Sequence, residues 1–292
     1  MKVAVLGTGL MGRAIAERFL ACRRPVVVYN RTTAKTAPLA ALGAEVADTP
    51  DDAIRHASYV LLLLSDAEAI RSLLPLHDRP ETIRHRVLIQ MGTIGSSESR
   101  DLERAVVNSG GEYLEAPVLG SLAEAKAGEL LVMVGGTRDQ FDRCRDVLSV
   151  LGKRPQLIGP VGHAASLKLA LNQLIASHIA AFSLSLGYLD RAGVSIDAFR
   201  TILGESALTA PMFEKKYPRL AARRYDTPNF SVRHLLKDVR LFLREAQVAG
   251  LDTRSLDNVP TLLDAAIDLH RGDEDYSAVY EAINPAPKGP SG

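Results

Sequence analysis

The sequence predicts an α/β protein in which a doubly wound, mainly parallel sheet is joined by a long helix to an all-α C-terminal domain. Three observations carry that expectation. Short apolar runs alternate with helical spacing through the first half of the chain, a glycine-rich turn follows the first of those runs, and beyond Gly162 the strand pattern stops. The length of 292 residues gives room for roughly two domains of ~150 residues each. An apolar share of 47% and a charged share of 24% suit a globular chain with a sizeable core.

The strand candidates are VAVLG (3–7), VVVYN (26–30), YVLLLL (59–64), RVLIQM (86–91), EYLEAPV (112–118), ELLVMVGG (129–136) and PQLIG (155–159). Several are apolar at successive positions, as strands covered on both faces are. Between them RAIAERFLA and TAKTAPLAALG have helical spacing. No proline interrupts residues 163–191, which predicts one long helix. Its apolar positions run almost all the way round, so more than one neighbour is expected to cover it. AFRTILGES, FSVRHLLKDVRLFLREAQVAG, NVPTLLDAAIDLHR and SAVYEAI add further helices. The domains expected are therefore 1–162 and 163–284, followed by a Pro/Gly-rich tail, 285–292, expected to be disordered.

Composition excludes several functions. The 35 basic and 34 acidic residues nearly cancel, and no clustered basic face suggests nucleic acid. Pairs such as Arg23-Arg24, Lys215-Lys216 and Arg223-Arg224 read as solvated surface. Cys22 and Cys144 have no redox or metal-like spacing and the seven histidines are scattered, so no metal site is expected. The densest apolar run, YVLLLL, is too short to span a bilayer, and the N-terminus enters a strand without a signal-peptide pattern. These features predict a cytoplasmic, reducing location without membrane or nucleic-acid partners. The absence of a G-x-S-x-G elbow removes the nucleophile an acyl-transfer enzyme needs.

Residues 2–6 lead into G-T-G-L-M-G, with Gly7, Gly9 and Gly12 followed by a helical pattern. The motif alone is weak, but here it follows a strand and opens a helix, the context that dinucleotide binding of the Rossmann type requires. Gly7 permits the tight turn, Gly9 the approach of a pyrophosphate, and Gly12 close packing of helix on strand. Leu10 and Met11 begin the helix whose free N–H groups face the phosphates.

The second strand ends in Y-N-R-T, at the place where a carboxylate would hold an adenosine ribose and repel a 2′-phosphate. Asn30 carries no charge, Arg31 can bind a phosphate while lying on the adenine, and Thr32 adds a hydroxyl. The pattern predicts NADP(H) in preference to NAD(H). A plainer role for Asn30 or Thr32, capping a helix that starts near Thr33, is compatible with it.

Lys168 and Asn172 stand four apart on the long helix and so share a face, amid Leu, Ala and Ile. A lysine in such surroundings can exchange a proton with a reacting oxygen. Equally, its stem can lie on apolar surface with the ammonium in water. His163, just before them, reads as a helix-start residue, with contact to a substrate as the other reading.

Taken in order, VLGTGLMG, YNRT, LLSD (63–66), MGT (91–93), EAPVLGS (115–121), GELLVMVGG, the Lys168/Asn172 helix, FSVRHLLKDVRL (230–241) and DYSAV (275–279) resemble the β-hydroxyacid dehydrogenase family. That family includes 3-hydroxyisobutyrate dehydrogenase and the glyoxylate/succinic semialdehyde reductases. The NRT turn, LGKR (151–154) and KDVRL look most like the reductase branch. The resemblance spans about residues 2–283. It implies Lys168 as general acid/base, with Asn172 beside it at the substrate oxygen. It implies Gly120 and Ser121 in a loop that holds the substrate's acid end, Thr93 beside nicotinamide and substrate, and Phe230 and Asp238 lining the substrate side. Leu64, Ser65 and Lys237 would lie on the cofactor. The implied reaction is NADPH-dependent reduction of a small aldehyde acid to a hydroxy acid, or its reverse. The apolar second domain and long helix suggest a homodimer or homotetramer.

Two positions depart from the family pattern. Leu119 stands where a serine is common, removing a hydroxyl from the acid-holding loop, and Gly92 replaces the serine of a usual M-S-T. The altered loop keeps an imine reductase open as an alternative, although such enzymes usually lack the lysine. The other alternative is a non-catalytic NADP-binding protein, against which Lys168, Asn172 and Lys237 together weigh.

Overall fold

A computed structural model describes residues 1–76 and 78–286. They form two compact units, Met1–Leu169 and the residues from Ala170 onward. In chain order the first unit contains β1 (Val3–Leu6), α1 (Leu10–Ala21), β2 (Val26–Tyr29), α2 (Ala37–Ala40), β3 (Glu45–Val46), α3 (Pro50–Arg55), β4 (Tyr59–Leu62), α4 (Ala67–Leu73), β5 (Val87–Gln90), α5 (Ser96–Asn108), β6 (Glu112–Glu115), β7 (Val118–Leu119), α6 (Leu122–Ala127), β8 (Leu131–Gly135), α7 (Arg138–Leu151) and β9 (Gln156–Gly159). The helix α8 (His163–Arg191) runs from this unit into the second, which adds α9 (Ile196–Glu205), α10 (Pro211–Ala222), α11 (Val232–Val248), α12 (Val259–Asp268) and α13 (Val279–Ile283).

The strands lie in the order β3-β2-β1-β4-β5-β6-β8-β7, with β9 against β8. From β3 to β6 all pairings are parallel. Both faces of the sheet are covered, which is why its strands lack apolar/polar alternation. Val3, Val5, Val26, Val28, Leu61, Ile89 and Leu114 face one core. Ala4, Leu6, Val27, Val60, Leu62, Leu88 and Tyr113 face the other. Because β1 lies between β2 and β4, the winding reverses at its carboxyl end and opens a crevice there, the usual ligand position in such sheets.

Several expectations change in detail. EYLEAPV is not one strand: Pro117 has no N–H to give a ladder, and its carbonyl instead accepts from Met133 N–H at 3.0 Å. The chain then pairs antiparallel with β8 through Val118 and Leu119, so the parallel sheet ends in an antiparallel edge. TAKTAPLAALG yields a single 3₁₀ turn at Thr33–Lys35 and the four-residue α2.

The helix expected over 163–191 is continuous, and within the second unit more than one neighbour meets it: Phe182 stacks on Phe199 of α9 and Phe213 of α10, and Asn172 bonds Asp238 of α11. In the second unit one stripe, Ala176, Ile179, Phe182 and Leu186, enters the core, while Leu174, Leu184 and Tyr188 are 44%, 65% and 70% exposed. By length and composition α8 is also long and apolar enough to cross a membrane.

The second unit is pinned from within. Lys216 Nζ, on α10, lies 2.7 Å from both oxygens of the fully buried Asp275 and 4.1 Å from the Tyr276 ring centroid. This anchor and the buried Leu220 hold α10 helical around Pro218, which removes one of its backbone bonds. Of the tail expected to be disordered, residues 287–292 lie outside the described residues.

Candidate cofactor groove and active-site residues

The glycine-rich turn has the geometry its sequence demands. Gly7 sits at φ +98° with its N–H donating to Tyr29 O at 2.9 Å, and a Cβ there would lie 2.4 Å from Leu63 O. A Cβ on Gly12 would lie 1.9 Å from Gly7 O, so α1 packs directly on the turn. A Cβ on Gly9 would meet nothing within 4 Å. Gly9 caps α1 without any side-chain bond, leaving the first helical N–H groups, from Leu10 and Met11 on, open to an anion. Open space at Gly9 beside an uncapped helix start fits a dinucleotide pyrophosphate.

A groove of about 590 Å³ extends from Gly7 past Asn30, Arg31, Thr32 and Lys35 to Leu64 and Ser65. Asn30 Oδ1 accepts from Thr8 N–H at 3.0 Å and its Nδ2 donates to Thr32 O at 3.0 Å. Thr32 stands at the N-cap of the turn at Thr33 but gives it no side-chain bond, so capping by its hydroxyl is not what the residue supplies. The exposed Arg31 and Lys35 bring two cations to this rim, and Asp66 and Glu68 line it as well. Asp66 is held by its own bond from Ala69 N–H at 2.8 Å, as N-cap of α4.

The loop after β5 carries Thr93, half-buried. Gly92 has a local reason: a Cβ there would lie 2.6 Å from Leu64 O, so a serine would force the two loops apart. The buried Gln90 fixes the same loop, donating from Nε2 to Gly92 O at 3.1 Å. In the loop 119–121, Gly120 sits at φ +147°. Ser121 caps the six-residue α6, and its N–H donates to Glu124 Oε2 at 2.5 Å.

Lys168 is half-buried in the second turn of α8. The start of that helix is clasped by Glu115, whose Oε1 accepts from the N–H groups of Gly162, Ala164 and Ala165 at 2.9, 2.8 and 3.2 Å. One turn past Lys168, Asn172 is 1% exposed and its Nδ2 donates to Asp238 Oδ2 at 2.6 Å. Asp238 is equally buried, and Lys237 Nζ lies 2.8 Å from its Oδ1 in an ion pair that misses hydrogen-bond alignment. Asn172 Oδ1 has no hydrogen bond among the described residues. Phe230 is half-buried, its ring edge-on to Tyr276 at 5.9 Å. His234, a turn before Asp238 on α11, has Nδ1 2.6 Å from Ser231 Oγ. Burial first, then the Lys237 charge, push its imidazole below its ordinary value.

Sequence reasoning missed Lys35, four residues after Arg31 and so within reach of the same rim. It missed the clasp by Glu115, although EAPV was a motif in plain view. Nothing in a linear motif says that a glutamate will cap a helix about fifty residues away.

An α/β unit whose glycine turn leaves a helix start uncapped has the geometry of a Rossmann-type dinucleotide-binding unit, and the helical unit that follows holds a buried Asn172–Asp238 pair. Two family models cover the chain: the NAD-binding domain of 6-phosphogluconate dehydrogenase over residues 2–160, and the NAD-binding domain of NADP-dependent 3-hydroxyisobutyrate dehydrogenase over 162–283. The chain belongs to the 3-hydroxyisobutyrate dehydrogenase family of NAD(P)-dependent oxidoreductases. It is 33% identical to glyoxylate/succinic semialdehyde reductase 1 of Arabidopsis thaliana, over 97% of this chain and 98% of that one. The cytokine-like nuclear factor N-PAC of Drosophila melanogaster is 29% identical over 83% of this chain, which spans 40% of it. Among solved structures, 3-hydroxyisobutyrate dehydrogenase from Salmonella typhimurium shares the fold with a TM-score of 0.86 at 23% identity, covering 96% of this chain and 99% of that one.

Proposed function

We propose that this chain is an NADPH-dependent reductase of a small aldehyde acid, of the glyoxylate or succinic semialdehyde type, able also to run the reverse oxidation. The observation that carries the reading is Asn172: fully buried, held by Asp238 at 2.6 Å, one turn beyond Lys168. A protein that only binds a dinucleotide has no use for an amide held so firmly at that place. The likeness to the Arabidopsis reductase over nearly the whole chain supports the substrate class.

Gly7, Gly9 and Gly12 with the start of α1 would hold the pyrophosphate. Asn30, Arg31, Thr32 and Lys35 would hold the adenosine end with its extra phosphate, and Leu64, Ser65, Thr93 and Lys237 would complete the cofactor's surroundings. When bound, the reduced nicotinamide supplies a hydride to the carbonyl carbon. Lys168 Nζ gives a proton to the carbonyl oxygen as it takes on negative charge, and Asn172 orients that oxygen. Positioned donors of this kind are worth ~3 kcal/mol each. Asp238 holds the Asn172 amide in one orientation, Phe230 supplies apolar surface, and Gly120 with Ser121 meets the acid end.

A second reading, an imine reductase, is favoured by one observation: the Ser121 N–H already faces Glu124 Oε2, and Leu119 offers no hydroxyl, so the loop has fewer donors for a carboxylate.

The exposed Leu174, Leu184 and Tyr188 of α8, with Ile202 and Leu208 beyond it, support a homodimer or homotetramer, which a monomeric mass by light scattering would refute. Cys22 and Cys144 are both free thiols, in keeping with a cytoplasmic, reducing location. Fractionation of the source cells would test that placement.

The deciding experiment follows NADPH oxidation with glyoxylate, succinic semialdehyde, other small aldehyde acids and cyclic imines, for wild type and Lys168→Ala. Turnover of an aldehyde acid that falls by about 10²–10⁴ in the variant is expected. Turnover of imines alone, or equal rates in the variant, would overturn the reading.

A further inference from the structure

We infer that Glu115 is a positioning residue: its buried carboxylate sets where the first turns of α8 sit, and with them Lys168. The inference rests on the reading that Lys168 acts on the reacting oxygen.

Glu115 is the last residue of β6 and is 1% exposed. Its Oε1 takes three backbone N–H groups at the start of α8, nearly the whole set that a helix leaves unsatisfied there. Its Oε2 accepts from Ser99 Oγ at 2.6 Å, and that hydroxyl lies 2.9 Å from the Tyr113 hydroxyl on the same strand. Space for the carboxylate is made by Gly135, its partner across the sheet, where a Cβ would lie 2.2 Å from Oε1.

Helix starts are ordinarily capped by a neighbouring Ser, Thr, Asp or Asn, which stabilises the helix but fixes it to nothing else. Here the capping oxygen comes from a strand between β5 and β8, 47 to 50 residues away in sequence. The bonds therefore tie the helix start to the sheet that forms the cofactor groove. A negative charge at the positive end of the helix reinforces them. Lys168 follows Ala165 by three residues, less than one turn, so a shift of the clasped amides passes to it with little loss. Displacement of a reacting group by ~1 Å costs about a hundredfold in rate.

The test compares Glu115→Ala, Glu115→Gln, Ser99→Ala and Lys168→Ala in the full chain. It reads NADPH affinity by fluorescence, kcat with succinic semialdehyde or glyoxylate, and hydrogen exchange of residues 162–172. Glu115→Ala is expected to lower kcat by about 10- to 100-fold while NADPH affinity stays within about twofold, and to speed exchange at Gly162, Ala164 and Ala165. Glu115→Gln, which retains an acceptor oxygen, should recover most of kcat. Wild-type kcat in Glu115→Ala beside an inactive Lys168→Ala would overturn the inference alone, as would unchanged exchange. Full activity in Lys168→Ala would instead overturn the reading of Lys168, leaving exchange to decide the clasp. If Glu115→Ala does not fold, Ser99→Ala carries the test: it removes the bond that orients the carboxylate, and wild-type kcat together with wild-type exchange at Gly162, Ala164 and Ala165 would overturn the inference.

Discussion

The backbone N–H of Thr8 donates to Asn30 Oδ1 at 3.0 Å, tying the glycine-rich turn to the end of β2. The other half of the same amide donates to Thr32 O at 3.0 Å and so shapes the turn that presents Arg31. An aspartate could accept from Thr8 but could not donate to Thr32. The asparagine at this place thus does two things together: it withholds a negative charge and it builds the turn.

Asn30→Asp should therefore cost NADPH about 10- to 100-fold in affinity, the worth of one charged hydrogen-bonding group, with NADH changing by less than about threefold. Fluorescence titration of both cofactors measures this. An equal loss for both would mean that Asn30 supports the fold of the turn and not its selectivity.

Arg31→Ala and Lys35→Ala should each weaken NADPH by about 5- to 50-fold and leave NADH nearly unchanged. Both side chains are exposed, so the loss should shrink as salt is raised. Titrations at low and high salt would decide it, and an effect of Arg31 without any from Lys35 would remove the latter from the phosphate rim.

Lys216→Met should destabilise the chain by about 3–5 kcal/mol, because it leaves Asp275 buried without its cation. Ser277 and Asn229 would still donate to that carboxylate, at 2.7 to 3.4 Å, but cannot neutralise it. Denaturant unfolding monitored by circular dichroism gives the number. A change below about 1 kcal/mol would show that hydrogen bonds alone hold Asp275.

His234 should make stability fall in mild acid. Its imidazole is held below the ordinary 6.5 by burial and by Lys237 and Arg233, against the opposing pull of Asp238 and Asp273. Above pH ~6.5 neither the folded nor the unfolded histidine carries a proton, and this contribution is fully present. As pH falls, the unfolded chain takes up the proton first, so stability drops until the lowered folded value is passed. Thermal unfolding between about pH 7.5 and 5.5 should slope less in His234→Asn than in wild type, and parallel slopes would exclude the histidine as a cause.

The layout of this molecule was legible wherever one local rule decided an element. Val3 to Leu6, Val26 to Tyr29 and Tyr59 to Leu62 announce themselves because both their faces are buried, and α8 because nothing in it breaks a helix. The strand Glu45–Val46 was not legible, being two residues long, partly polar and at the sheet edge. Periodicity showed that α8 would be met by more than one neighbour, but not which of its apolar residues would stay exposed, as Leu184 and Tyr188 do. For the candidate site, Gly7, Gly9 and Gly12 stand in a short motif whose spacing matches the turn they form, whereas the roles proposed for Lys168 and Asn172 come from the resemblance and not from their spacing. Glu115, Asp238 as the support of Asn172, and the capping bonds of Ser121 depend on residues brought together only by the fold, which spacing does not encode.

The contact between Gly7 and Gly12 has a consequence for mutational history. Gly12 lacks room for a side chain because the Gly7 carbonyl occupies it, and Gly7 lacks room because of Leu63. A methyl group on Gly12 would push α1 off the turn and one on Gly7 would push the turn off Leu63, so both substitutions strain the same few atoms around the Gly7 peptide. Their losses should fall short of adding up when combined, and a lineage that abandoned one would gain little by keeping the other.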